Sequence, residues 1–74
     1  MLKYWVEHYD GFVIFLNQNT EASETRGVET VYEPSVTGEQ IIDHMIRLES
    51  MGYKKQPSEG LEENVIEYVE RMKK

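Results

Sequence analysis

The sequence predicts an α+β fold: a three-stranded antiparallel sheet, built from an N-terminal hairpin and one further strand, with two C-terminal helices packed on one face, in the order βββαα. Three observations carry this expectation. An Asp10-Gly11 pair separates two runs rich in aromatic and β-branched residues, a capping sequence precedes an apolar run at helical spacing, and a second stretch carries one narrow apolar stripe. The reading is of one domain over residues 1–74, with strands at about 2–9, 12–17 and 28–33 and helices at about 38–51 and 59–72.

The hairpin comes first. Asp-Gly between two apolar runs suits a type I′ turn, whose two central residues need positive φ. With those residues as the loop, Tyr9 faces Phe12, Glu7 faces Ile14 and Trp5 faces Leu16 on one side, while Val6 faces Phe15 and His8 faces Val13 on the other. Phe12 to Leu16 is apolar on both sides, whereas Lys3, Glu7 and His8 make the first strand more polar. The second strand is therefore expected to be central.

Asn17 to Gly27 is polar and lacks large apolar residues, which predicts a long exposed connection or one whose ends extend the flanking strands. Val28 to Glu33 has strand propensity and stops at Pro34, as an edge strand does. Glu24, Glu29 and Glu33 would help to keep that edge from pairing with others.

Thr37-Gly38-Glu39-Gln40 reads as a capping box, and Gly52 suits the left-handed position after a helix, with Tyr53 folding back on Leu48. At 100° per residue, Ile41, Ile42, Met45, Ile46, Leu48 and Met51 cover an arc of about 220°, more than twice the stripe that a simple surface helix needs. One side of this helix is expected to pack on the sheet and the other on the second helix or another subunit. Tyr53 to Gln56 could pair briefly as a fourth strand. Ser58 is the expected cap of the second helix, whose stripe is Leu61, Val65, Tyr68, Val69 and Met72, with Arg71, Lys73 and Lys74 at the end that the helix dipole makes favourable for cations.

The totals narrow the function classes. A chain of 74 residues buries only about 60% of the surface its unfolded state exposes. There is no cysteine, so neither a disulfide nor a thiol nucleophile is available. Fourteen acidic residues against eight basic ones give a net charge of −6, which disfavours nucleic acid and anionic membranes as partners. The N-terminus lacks the pattern of a secretory signal and no apolar run approaches the roughly 20 residues of a membrane span, so a cytoplasmic or intracellular viral setting is expected.

No catalytic, cofactor or metal constellation emerges. Glu7, His8 and Asp10 are close in sequence, but a strand sends Glu7 and His8 to opposite faces and Asp10 belongs to the turn. Asp43 and His44 diverge by 100° on a helix, leaving Gln40 and Arg47 as the neighbours of His44, which suits a boundary histidine bonded to backbone or lying at a subunit contact. No nucleophile elbow or phosphate loop is present, and an enzyme is not expected.

The leading expectation is a non-enzymatic protein-interaction module, homodimeric through Ile42 and Ile46, or through the sheet edge, with His44 at the far border of the apolar arc between Met51 and Leu48 as a further contact. A second reading rests on the acidic row Glu59, Glu62, Glu63, Glu67 and Glu70. Such a row can imitate phosphate spacing, making the chain an inhibitor of a basic nucleic-acid-binding protein of the kind phages and mobile elements carry. A third is single-strand binding through aromatic residues on an open sheet face, Tyr4, Trp5, Tyr9, Phe12, Phe15 and Tyr32.

Overall fold

The computed structural model describes residues 2–19 and 26–73 and has an α+β architecture in which one mixed sheet lies between two helices. The elements are β1 (Lys3–Tyr9), β2 (Phe12–Gln18), β3 (Gly27–Tyr32), α1 (Gly38–Ser50), β4 (Lys54–Lys55) and α2 (Glu63–Met72). The middle of the predicted polar connection, with Glu24, lies outside the described residues.

The hairpin forms as its turn chemistry dictates. Asp10 and Gly11 both have positive φ, 49° and 86°, and the register pairs Tyr9 with Phe12, Glu7 with Ile14 and Trp5 with Leu16. The sheet order is β3-β2-β1-β4, so β2 is central as expected. A fourth strand corrects the three-stranded reading: the two residues of β4 lie parallel to β1, with the Lys54 N–H donating to Leu2 O at 3.0 Å and the Gln56 N–H to Tyr4 O at 2.8 Å.

The second correction concerns the helices, which occupy opposite faces of the sheet. Val65 and Val69 of α2 pack on Trp5, Phe12, Ile14 and Leu16, while Leu48 of α1, with Ile41 and Met45, packs on Tyr4, Val13 and Phe15. The cause lies in β2, where every residue from Phe12 to Leu16 is buried. With both helices on one face, Val13 and Phe15 would stand in water, at about 1.5–3 kcal/mol for each large apolar side chain.

Both ends of α1 follow the sequence. Gln40 N–H donates to Thr37 Oγ1 at 3.2 Å and Thr37 N–H to Gln40 Oε1 at 3.0 Å, completing the capping box. At the C-terminus Gly52 has φ 99°, its N–H donates to Glu49 O, and Tyr53 N–H donates to Leu48 O at 3.0 Å, the Schellman pair. The start of α2 is a further correction. It begins at Glu63 after Glu62, with no side-chain cap, because Ser58 and the N–H groups that follow it are taken by Glu7 and Gly60 turns the chain at φ 83°.

Candidate interaction surfaces

The charged groups sort into those that hold the chain to itself and those that face outward. Alternation along β1 puts Glu7 between Trp5 and Tyr9 on the face that α2 covers, and it is only 3% exposed. Its carboxylate accepts from Ser58 Oγ, from the Glu59 N–H at 2.8 Å and from Arg26 Nη1 at 3.4 Å. Burial alone would push the Glu7 carboxyl up. The hydrogen bonds from Ser58, Glu59 and Gly60 and the Arg26 charge outweigh that and hold it below the ordinary carboxylate value.

Arg26 lies just before β3, in the stretch that sequence alone assigns to an exposed connection. Its guanidinium grips Glu62 through two bonds, Nε to Oε1 at 3.0 Å and Nη2 to Oε2 at 2.9 Å, donates to Gly60 O at 2.7 Å and lies 5.2 Å from the centre of the Trp5 ring. Trp5 Nε1–H donates to Glu59 at 2.8 Å. A cavity of about 450 Å³ opens beside these groups, but its Arg26, Glu59 and Glu62 are bonded within the chain. Glu7, Arg26, Trp5, Ser58, Glu59 and Glu62 thus fasten the segment before α2 to the sheet. The signal available in sequence was period two: a glutamate flanked at i±2 by tryptophan and tyrosine faces the core and needs a cation.

This network accounts for part of the acidic row. Glu59 and Glu62 bind Trp5 and Arg26, and Glu70 accepts from the Tyr9 hydroxyl and lies 3.4 Å from Lys73 Nζ, which also pairs with Asp10. The Tyr9 bond holds the Glu70 carboxyl below its ordinary value and the Tyr9 phenol above its own, while Asp10 raises Lys73. Glu63 and Glu67 remain exposed, with no hydrogen bond or ion pair to any described residue.

His44 also departs from its reading as a surface contact. It is 6% exposed, stacks on Phe15 at 4.1 Å between ring centres, places Nδ1 2.7 Å from the Tyr32 hydroxyl and places Nε2 2.8 Å from Glu29 Oε2. A β-bulge makes the last contact possible. Phe15 pairs with Thr30 and Leu16 with Val28, so Glu29 is the extra residue and turns toward α1. With its proton on Nε2 donated to Glu29, the ring leaves Nδ1 to accept from Tyr32. Glu7, His8 and Asp10 do not converge, and no group of three metal-ligating side chains forms among the described residues.

Four of the six aromatic rings proposed for stacking are interior, and Tyr9 and Tyr32 are half-buried. Tyr4, Trp5, Phe12 and Phe15 are buried between the helices and the sheet, which leaves neither face open as a platform. Among the described residues, no helix is long and apolar enough to cross a membrane.

Two apolar surfaces remain outside. On α1 the wide arc divides: Ile41, His44, Met45 and Leu48 turn inward, whereas Ile42 and Ile46, one turn apart, are 57% and 58% exposed and Met51 at the C-terminal cap is 64% exposed. Glu39, Asp43 and Glu49 lie three residues from one or other of them, Glu49 accepting from the buried Tyr4 hydroxyl at 2.6 Å, and Arg47 is the only arginine or lysine of the helix. On the other face, a groove of about 470 Å³ runs between the outer edge of β3 and α2, lined in part by Val28, Val31, Tyr68 and Arg71. The chain matches no protein-family model, no curated protein and no solved structure.

Proposed function

We propose that the protein is a non-enzymatic protein-interaction module whose docking surface is the outer face of α1. The observation that carries this reading is the exposure of Ile42 and Ile46 by more than half on a helix that is otherwise firmly seated. Two isoleucines at i, i+4 form the kind of ridge that seats in an apolar groove or between the side chains of another helix.

The rim selects the partner. Glu39 and Asp43 flank the ridge, so a second α1 laid against it would bring carboxylates together, whereas an amphipathic segment with lysine or arginine beside its apolar face meets opposite charge. The partner at α1 is therefore a basic amphipathic helix from another protein, and self-association is assigned to the sheet edge.

Titrating a synthetic amphipathic Leu/Lys helix into the isotopically labelled protein tests this by chemical-shift mapping. Shifts centred on Ile42 and Ile46, weakened by salt and lost in Ile42→Ser/Ile46→Ser, are expected. Absence of binding, or shifts centred elsewhere, would overturn the reading.

A further inference from the structure

We propose that β3 pairs antiparallel with β3 of a second copy about a two-fold axis at Val31, joining two sheets edge to edge and setting their α2 helices side by side. The two edges of the sheet differ in kind. β4 is two residues long and both are exposed lysines, a combination that discourages strand addition, whereas β3 has six residues and nothing beyond it in the sheet order. Beyond the two pairs with β4 the outer edge of β1 is also uncovered among the described residues, but a two-fold β3–β3 contact is isologous and uses up the β3 edge of both copies.

The backbone faces the right way. A two-residue hairpin loop makes Tyr9 and Phe12 a hydrogen-bonded pair, and alternation along β2 then directs the polar groups of Val13 and Phe15 toward β3. Their partners Tyr32 and Thr30 point back, which leaves the Val31 N–H and C=O directed away from the sheet. Two copies related by an axis at Val31 exchange both bonds. The Glu29 bulge and Pro34 frame the straight stretch between them, and this fixes the register.

Side chains support the same arrangement. Val28 and Tyr68, 42% and 45% exposed, flank Val31 on the α2 face, and the axis carries each Tyr68 toward its counterpart. The helices run antiparallel across it, so the basic end at Arg71 lies beside the acidic half with Glu63 and Glu67. Arg71, Glu63 and Glu67 have no ion pair with any described residue of their own chain. Glu29 is held on the α1 face by His44 and Thr30, while Glu33, the other described acid beside this edge, lies past the end of β3 at Tyr32. Because α1 covers the opposite face, the dimer displays two ridges, and its formation is independent of what α1 binds.

The chain has no cysteine, so a single introduced thiol reports position directly. Sedimentation velocity is expected to give a dimer, Tyr68→Cys to form a disulfide-linked dimer on oxidation, and Ile46→Cys to stay unlinked. Val28→Lys/Tyr68→Lys, both at exposed positions, should be monomeric with an unchanged far-UV spectrum. The Val31 amide should exchange more slowly as wild-type concentration rises. A wild-type monomer at high concentration, a dimer that survives the double substitution, or disulfide linkage in Ile46→Cys but not in Tyr68→Cys would each overturn the proposal. Ile42→Ser/Ile46→Ser should remain dimeric, which separates this result from the fate of the α1 reading.

Discussion

Glu7 and Glu59, 52 positions apart in the chain, are joined by a 2.8 Å hydrogen bond in which the buried Glu7 carboxylate accepts the Glu59 N–H. Both are acids, yet their roles oppose: one supplies negative charge in the interior and the other contributes its backbone as a donor. Ser58, Glu59 and Arg26 converge on that carboxylate, so the segment entering α2 is held by a buried charge as well as by Leu61 packing on the core.

Replacing that carboxylate tests the assignment. Glu7→Gln keeps the shape but sets an NH2 group among donors, leaving at least one of them unpaired in a buried place. A loss of about 2–4 kcal/mol is expected, a large share of the stability of a small domain. Urea unfolding measures it, and faster amide exchange at residues 59 and 60 with the hairpin amides unchanged would localise the effect.

The same group makes the fold sensitive to acid. Glu7 and Glu70 are both held below the ordinary carboxyl value of 4.5. A carboxyl lowered in the folded state binds fewer protons there than in the unfolded chain, so stability rises with pH across the interval between its two values. The contribution is complete above the ordinary value and is lost as pH falls through the lowered one. Urea midpoints between about pH 6 and 2 should fall steeply below the ordinary carboxyl range, and more shallowly in Glu7→Gln.

Local chemistry explains what could be read from the sequence. Asp10-Gly11, the Thr37/Gln40 box and Gly52 each specify a conformation within a few residues, and each forms. What escaped was non-local. The two-sided burial of Phe12 to Leu16 already required cover on both faces, but only the partition of α1 into Ile41/Met45/Leu48 and Ile42/Ile46 shows how it is met. Arg26 and Glu29 lie in polar or edge segments where nothing local distinguishes a surface charge from a partner for Glu7 or His44. The surplus apolar arc of α1 was visible as a quantity, and the structure decides that Ile42, Ile46 and Met51 remain outside.

Gly52 offers a test of the legible part. Its φ of 99° lies where a side chain is strained, and a Cβ there would sit 3.4 Å from Leu2 Cδ1, ordinary contact distance. The cost of Gly52→Ala is therefore conformational, about 1 kcal/mol, whereas Gly38→Ala, with open space around the position and an ordinary helical site, should be neutral or slightly stabilising. Thermal unfolding of the two variants side by side separates backbone strain from packing.

His44 tests the part that was not legible. The ring stacks on Phe15 and links Tyr32 with Glu29, so His44→Phe should keep most of the packing and lose both hydrogen bonds. Glu29→Gln alters the Nε2 partner and the acceptor of the Thr30 hydroxyl. If the bulge exists to aim Glu29 at this ring, the two substitutions are coupled, and a double-mutant cycle should give about 1 kcal/mol, modest because Glu29 is partly in water. Additive losses would mean that the carboxylate does not depend on the histidine and that the bulge serves only to bend the edge strand. Tyr32→Phe completes the set: it removes the bond to Nδ1 while leaving the edge-on contact of its ring with Phe15, so its cost should be smaller than that of His44→Phe and largely absent in the His44→Phe background.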